Sequence, residues 1–337
     1  MADTMNIEDV KKELGEYISN NKEVVSAGVY STEITLNKYC KTITAVKGKY
    51  PAFHKIMGHV VQGFKAEWQK LGEAEFKHKT LQNFRQKVNF EIVPDEALHT
   101  WLAELFVEGK SAEEHPISKH IMEDLMGKVI DDIEDLSQSG EYDALTSSGT
   151  YGNSIDGIEQ QRQKALANIA HPAFRIPLNA ITPENILDEF KSYEKQLPKK
   201  MRRKIKRVFV SDSIALEFAD QYELTYGKNV NYTDDGAIKT PRLKFEIVGL
   251  PGVPDNFFVA SVEDNLARLI DVFDKPGVTD IQKQDYILKI FMDWHLGYDW
   301  LINELVYIAV FDGSDRGLGD AVKNALYYDS ENLVVTP

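Results

Sequence analysis

The sequence predicts an α+β protein, and three stretches carry the prediction. Apolar residues recur at helical spacing from 116 to 139, two extended segments lie between 53 and 93, and strands alternate with helices over 180–275. The helical spacing indicates one long amphipathic helix, and the alternating region indicates an α/β-type subdomain. Together they favour a mixed architecture in which helices pack on sheets.

The predicted long helix has one apolar face and one acidic face. Pro116 suits its first turn, where a missing N–H costs nothing, and Gly140 suits its end. At 1.5 Å per residue the helix would span roughly 30 Å. We interpret it as a spine laid across a sheet; the alternative is an ordinary amphipathic helix of any α+β protein. The apolar face comprises Ile117, Ile121, Leu125, Met126, Val129, Ile130, Ile133 and Leu136, and the acidic face comprises Glu123, Asp124, Asp131, Asp132, Glu134 and Asp135.

Residues 1–50 are predicted to form an N-terminal arm. A short amphipathic helix is expected over 5–20, and 24–50 is rich in β-prone residues that alternate poorly. Such a segment usually packs on another subunit or elsewhere in the fold. The alternative is an unattached terminus.

A long two-stranded hairpin is predicted next. The first strand is expected in 60–71, the charged tip at 72–75 and the return strand in 76–93. A hairpin of this kind is only marginally stable alone in water, so its apolar residues imply a neighbour. Asp95 is predicted to cap a following helix over 95–109. The alternating apolar positions are Val61, Phe64, Ala66 and Trp68, then Phe84, Val88, Phe90 and Ile92.

The second half of the chain is predicted to alternate between strands and helices. Thr182 and Pro183 open a helix that Pro198 ends, and Ser211 or Asp212 caps another. The remaining predicted elements are a loop at 147–157, a helix at 158–170, a strand at 208–210, a strand running into the turn at 249–254, a strand followed by a helix within 256–273, and a β-prone run that ends at Asp312 and Gly313.

Composition excludes several functional classes. The chain has 337 residues, 43% of them hydrophobic, and a formal net charge of -14, which argues against a general nucleic-acid binder. Cys40 is the single cysteine, so neither an intrachain disulfide nor a cysteine-rich metal cluster is expected. The polar N-terminus predicts no signal peptide, and no run approaches the roughly 18 apolar residues of a membrane span. We therefore expect synthesis in the cytoplasm.

No catalytic, cofactor-binding or metal-ligating residues can be assigned from motifs. The histidines lack the spacing of zinc hydrolases, and the glycine-rich stretch at 313–321 has the wrong spacing for a phosphate loop. An enzyme is therefore the less favoured class, and no cofactor is expected.

One basic run stands out at 199–207, with seven basic residues among nine. Met201, Ile205 and Val208 would share one stripe if the run were helical, which makes a solvated helix face the plain interpretation. The alternatives are a nucleic-acid patch and a surface that pairs with the acidic long helix of a neighbouring copy.

The order of these parts resembles the major capsid protein of tailed bacteriophages, the Hong Kong 97-type fold. The stretch 93–105 followed by 115–134 resembles that family's junction into its spine helix, and 258–274 after the turn at 249–254 resembles its axial-domain segment. The run 305–313 is similar to its closing strand.

The resemblance implies a division into five parts and an intersubunit role for seven residues. The parts are an N-terminal arm (1–50), an extended β-hairpin loop (51–95), a peripheral domain (96–175) with the spine helix at 116–139, an α/β axial domain (176–299), and a closing strand with the C-terminal tail (300–337). The expected interface residues are Phe64, Trp68, Phe76, Phe84, Arg202, Arg203 and Lys206.

By the same resemblance the chain would assemble into pentamers and hexamers of an icosahedral shell, the virion capsid. The shell would enclose double-stranded DNA without sequence-specific binding, and would meet a portal and decoration or auxiliary capsid proteins. The sequence has no N-terminal scaffolding segment, so a separate scaffolding protein is expected. Some members cross-link through a lysine of the extended loop, but nothing marks Lys65, Lys70, Lys77 or Lys79 as reactive.

Two other functions remain open at this level. An encapsulin-like compartment shell would use the same fold to hold a cargo enzyme. A soluble α+β enzyme of unknown reaction belongs to a different class, as does a nucleic-acid-binding protein that uses 199–207.

Overall fold

A computed structural model describes residues 7–20, 31, 33–72, 74–93, 101, 117–227, 238–271 and 277–333. The helices are α1 (Ile7–Asn20), α2 (Ile117–Ser139), α3 (Ile158–Ala167), α4 (Ile186–Gln196), α5 (Asp212–Tyr226) and α6 (Ala321–Tyr327). The strands are β1 (Lys41–Ile43), β2 (Lys49–Met57), β3 (Ala74–Gln82), β4 (Phe84–Ile92), β5 (Phe174–Pro177), β6 (Ile205–Ser211), β7 (Glu246–Leu250), β8 (Phe258–Val262), β9 (Leu266–Ile270), β10 (Gly277–Gln284), β11 (Ile287–Trp300) and β12 (Val306–Val310).

The first sheet is organised around β11, which is 14 residues long. β11 pairs antiparallel with β4 from Leu288 opposite Ile92 to Leu296 opposite Phe84. It also pairs antiparallel with β10 and, over its last five residues, with β9. β1 is the parallel neighbour of β9. One hydrophobic core joins this sheet to α1 and α2.

The second sheet has the strand order β5-β12-β8-β6-β7. Its outer pairs are parallel, whereas β8 is antiparallel to both β12 and β6. α4 and α5 cover this sheet and share a second core with it. Ser211 caps α5 by accepting a hydrogen bond from the backbone N–H of Ile214, as the sequence predicts.

The long helix α2 confirms the predicted spine and its end. Six apolar side chains of the predicted stripe are buried in the core that α2 shares with the first sheet, while Ile130 and Leu136 are half-buried. A Cβ on Gly140 would lie 2.6 Å from the carbonyl oxygen of Leu136, so only glycine fits where the helix ends. The six buried residues are Ile117, Ile121, Leu125, Met126, Val129 and Ile133.

The hairpin exists, but its strands are not those the sequence predicts. β2 pairs antiparallel with β3 from Lys49 opposite Gln82 to Met57 opposite Ala74, and the described residues 58–72 form the tip and contain no strand. Apolar residues alternate over 60–71, but this stretch has no strand to pair with, whereas 49–57 lies opposite 74–82. After Asn83 the chain leaves the hairpin and enters the first sheet as β4.

Two predicted helices are wrong. Residues 266–270 form β9, whose five side chains are all buried, so no polar face distinguishes a strand from a helix. The basic run is a turn followed by β6, because Ile205–Ser211 pairs with β7 and β8. The C-terminal tail, for which the sequence predicts no element, contains α6. The helix predicted at 95–109 lies outside the described residues, except for Trp101.

The predicted domain boundaries do not coincide with the sheets. β9 and β11, placed in the axial domain, lie in the sheet that packs on α2, and β12, placed with the peripheral domain, lies in the second sheet. The division into domains therefore stays a prediction. Within the described part of the chain, no helix combines the length and apolarity required to cross a bilayer.

Candidate intersubunit surface

The base of the hairpin is fixed to the body by Lys79 of β3. Its Nζ donates to Asp299 Oδ1 at 2.5 Å, to Asn303 Oδ1 at 2.7 Å and to the carbonyl oxygen of Trp300 at 2.8 Å. The side chains of Lys79 and Asp299 are 12% and 8% exposed. Burial raises the pKa of Asp299, and the nearby Lys79 ammonium acts in the opposite direction. Because all three ammonium protons have acceptors, this pair is a specific anchor.

A second set of contacts supports the same base. His54 Nε2 lies 2.7 Å from the hydroxyl oxygen of Tyr327, and burial lowers the pKa of His54. Leu81 of β3 packs in a small core with Leu269 of β9. Asn83 donates from Nδ2 to the carbonyl oxygen of Val46 at 2.7 Å. Contacts within one subunit therefore fix the base of the hairpin to the body.

The hairpin tip is apolar and exposed. Val61, Phe64 and Trp68 are 90%, 96% and 88% exposed, and on the strands Phe53 and Phe76 are 73% and 71% exposed. Clustered exposed aromatic side chains are typical of a protein interaction site, because they gain by leaving water. We call residues 58–72 the tip loop.

Of the hairpin residues expected at an interface, Phe64, Trp68 and Phe76 are exposed, but Phe84 is not. Phe84 is 6% exposed, and its ring centroid lies 4.1 Å from that of Tyr142. It begins β4 in the first sheet and belongs to the main core. The prediction for Phe84 is therefore corrected: it stabilises its own subunit.

The basic run is largely paired within its own chain. Arg202 donates to the carbonyl oxygens of Lys195 and Leu197 at 2.6 and 3.0 Å. Lys206 lies 2.7 Å from Glu263. Arg203 is exposed. These internal bonds weaken the expectation of a free basic patch, although whether Arg202, Arg203 and Lys206 contact another subunit stays a prediction.

Sequence reasoning missed a cleft of about 760 Å³ between α2 and the strands β4 and β11. Trp294 Nε1 donates to Gln86 Oε1 at 2.7 Å, and Gln86 Nε2 donates to Ser154 Oγ at 3.0 Å, so one wall is a hydrogen-bonded network. Tyr151 donates to Asp135 Oδ2 at 3.1 Å, and burial together with the Asp135 charge raises the pKa of Tyr151 to about 12. The lining combines apolar and polar groups: Arg85, Gln86, Lys87, Val88, Asn89, Val129, Asp132, Ile133, Leu136, 147–152, Ser154 and 291–294.

No catalytic arrangement emerges from the described residues. Among them, no three histidine, cysteine or acidic side chains are grouped to hold a metal ion. Burial raises the pKa of Cys40 to about 12, so its thiol is protonated at neutral pH and a poor nucleophile. The features that stand out are surfaces.

No protein-family model and no curated protein matches the sequence. A chain from the procapsid of satellite phage P4, in a structure that includes the size determination (Sid) protein, is similar in fold. The two are 11% identical, the match covers 82% of this chain and 94% of that chain, and the TM-score is 0.52. A chain from Gordonia phage Cozz is 13% identical, with 82% of this chain and 85% of that chain covered and a TM-score of 0.49. A chain of a virus-like particle from Pyrococcus furiosus is 10% identical, with 87% of this chain and 98% of that chain covered and a TM-score of 0.43. At such identities the similarity concerns the fold.

Proposed function

We propose that this chain, which has the major capsid protein fold of tailed bacteriophages, is a capsid subunit whose copies assemble into a closed shell around double-stranded DNA. The observation that carries the proposal is the hairpin. It has a base anchored by Lys79 and an apolar tip with Phe64 and Trp68 exposed.

On a monomer, an anchored hairpin with an exposed apolar tip is unfavourable in free energy, because the tip stays in contact with water. Two strands alone are marginal in water, and the tip aromatics bury nothing within their own subunit. In a closed shell each copy presents its tip to a neighbour, so the same surface is buried once per subunit. Heterologous contacts that close on themselves produce such rings and shells.

The finer assignments follow the same logic. The hairpin of the loop region (51–95) lies on an adjacent copy, and the part of 176–299 that forms the second sheet meets around the axes of pentamers and hexamers. The arm (1–50) reaches neighbouring copies only outside α1 and β1, since these pack in their own subunit. A separate scaffolding protein, a portal and auxiliary capsid proteins are the expected partners. The role is structural and not enzymatic, in a virion assembled from subunits made in the host cytoplasm.

The acidic composition supports enclosure of DNA without adhesion to it. With a net charge of -14 the chain as a whole repels phosphates, so sequence-independent binding to DNA is weak. A shell of this composition retains DNA because it is closed and not because it binds the phosphates.

The test compares the chain with Phe64→Ser/Trp68→Ser by negative-stain electron microscopy and by mass in solution. Wild type is expected to form shells or capsomer rings, and the variant to stay a folded 38.3 kDa monomer. Leu216→Ser is the matched control, since Leu216 is 62% exposed on α5, and should assemble. A wild-type monomer that persists with its expected scaffold would contradict the proposal, and particles that hold a protein cargo in place of nuclease-protected DNA would identify a compartment shell.

A further inference from the structure

The stretch that begins at the end of α6 contacts the hairpin, and we call residues 327–333 the C-terminal strap. The hydroxyl oxygen of Tyr327 lies 2.7 Å from His54 Nε2 of β2. The carboxylate of Asp329 pairs with the imidazole of His59, which lies in the tip loop just beyond the paired strands. The strap therefore reaches past the base of the hairpin.

Buried groups fix the strap to the second sheet. Tyr328 is 3% exposed, its hydroxyl donates to the carbonyl oxygen of Glu304, and its ring centroid lies 4.8 Å from that of Phe174 in β5. Glu331 accepts a hydrogen bond from Arg316 Nη2 at 3.0 Å, and the side chain of Glu331 is 9% exposed. Because withdrawing these groups would leave buried polar atoms unsatisfied, the strap stays attached at this end.

The carboxylate of Asp329 joins the hairpin to the second sheet. Besides His59, it accepts a hydrogen bond at 2.9 Å from Lys200, which lies in the turn that leads into β6. The hydrogen bond from Lys200 lowers the pKa of Asp329, and His59 adds to this effect, so the carboxylate is charged at neutral pH. Both ion pairs are at the surface, where such pairs are weak. The strap is thus bound more firmly to the second sheet than to the hairpin.

The base of the hairpin has the features of a hinge. Gly48 precedes β2 with a φ of 84°, a backbone conformation that favours glycine, and Asn83 lies between β3 and β4. The N–H of Gly48 donates to Oδ1 of Asn83 at 2.7 Å. Hinges are a few residues at the ends of elements that absorb changes in backbone angle. A hairpin joined to the body in this way needs a support beyond its base to keep one orientation.

We propose that the C-terminal strap is this support: it orients the hairpin in the free subunit through Tyr327 and Asp329, and this orientation speeds assembly. The inference rests on the proposed function, in which the hairpin tip meets a neighbouring copy. A segment already held in one orientation loses less conformational freedom on association, so more encounters between subunits are productive.

The experiment measures the distance between two spin labels on the full-length chain by pulsed electron paramagnetic resonance. Ala74→Cys places one label at the exposed end of β3, and Ser213→Cys places the other on α5. The raised pKa of Cys40 keeps its thiol protonated and poorly reactive towards the label. Labelled chains are diluted into the same chain without labels, so that only distances within one chain are measured.

Tyr327→Phe/Asp329→Asn removes both contacts with the hairpin and preserves the size of the side chains. Tyr286→Phe/Glu263→Gln is the matched control outside the strap, since Tyr286 is 76% exposed and Glu263 forms a surface pair with Lys206. We expect the width of the distance distribution to grow at least twofold in the strap variant. Its assembly, followed by light scattering, should slow at least threefold, while the control matches wild type.

His59→Gln is a second variant at an exposed position of the tip loop, where the fold is not at risk, and should broaden the distribution in the same direction. Unchanged distributions in both variants overturn the inference. A broader distribution with assembly as fast as in the control overturns it as well, because orientation would then not limit assembly.

Electron microscopy of wild type reports separately on the proposed function. If shells or rings form and the distributions are unchanged, the capsid function stands and the role of the strap is removed. If wild type forms no shells or rings, the capsid function fails, and the distributions of the free chain alone decide whether the strap orients the hairpin.

Discussion

The Nζ atom of Lys79 lies 2.5 Å from Oδ1 of Asp299, at the point where the hairpin joins the body. Lys79 belongs to β3 and Asp299 to β11, so the pair connects the protruding hairpin to the central strand of the first sheet. Both side chains are nearly buried, and burial raises the pKa of Asp299. The hairpin is therefore held to the first sheet by a nearly buried ion pair, in which each charge stabilises the other.

Lys79→Met is expected to lower the free energy of unfolding by about 3–5 kcal/mol, because it leaves a buried carboxylate without its partner. Urea denaturation measures the change. Lys77→Met is the matched control on the same strand, since Lys77 pairs with Glu75 at the surface, where loss of a pair costs about 0–1 kcal/mol. Equal losses in the two variants would show that the buried pair is not an anchor.

Phe84→Ala is expected to lower the free energy of unfolding by about 3–5 kcal/mol, because Phe84 is buried in the main core. Phe64→Ala, at an exposed aromatic of the same hairpin region, should leave stability within about 0.5 kcal/mol of wild type. Thermal and denaturant unfolding of the two variants would be compared. If Phe64→Ala were the more destabilising change, the assignment of the tip loop as a free surface would be wrong.

Ile133→Ala is expected to lower the free energy of unfolding by about 2–5 kcal/mol, since Ile133 lies in the buried stripe of α2. Ile130→Ala, three residues earlier on the same helix, should have a smaller effect because Ile130 is only half-buried. Denaturant titration of both variants measures the two losses in the free energy of unfolding. A larger loss for Ile130 would indicate that α2 is rotated relative to the sheet.

Stability should fall on acidification below about pH 6.5, in part through His54. Burial lowers the pKa of His54; the nearby His171 and Lys77 lower it further, while Glu304 opposes them. A folded pKa below the ordinary 6.5 means that the unfolded chain binds the proton more tightly. The contribution of neutral His54 to stability is therefore fully present above the unfolded pKa and is lost as the pH falls through the folded pKa.

The melting temperature between pH 7.5 and pH 5 would be measured for wild type and for His54→Phe, which cannot titrate. The wild-type decrease should be the larger. Burial also lowers the pKa of His295, but His295 is present in both chains, so the difference isolates His54. Identical pH profiles would rule out a titrating contact at the hairpin base.

Much of the fold could be predicted where local patterns repeat. The i, i+3, i+4 spacing over 117–139 has one helical solution, and the end at Gly140 follows from the absence of a Cβ where the chain turns. Ser211 is foreseeable as a cap because its hydroxyl serves the first N–H groups of α5. The exposed aromatics of the tip were also identifiable, since nothing in 58–72 offers them a local partner.

The sequence by itself thus determined α2, the Ser211 cap of α5 and the presence of a hairpin with an apolar end, whereas α4 begins at Ile186 and not at Pro183 as predicted. Tertiary structure alone decided which residues are its strands, because 49–57 became β2 by lying opposite 74–82. It made 266–270 a strand between β1 and β11 and placed Phe84 inside the core. It also formed the cleft beside α2, whose lining comes from four separate stretches, within 85–89, 129–136, 147–154 and 291–294. Helices and caps are set by neighbours in the chain, whereas strands and clefts are set by partners that only folding brings near.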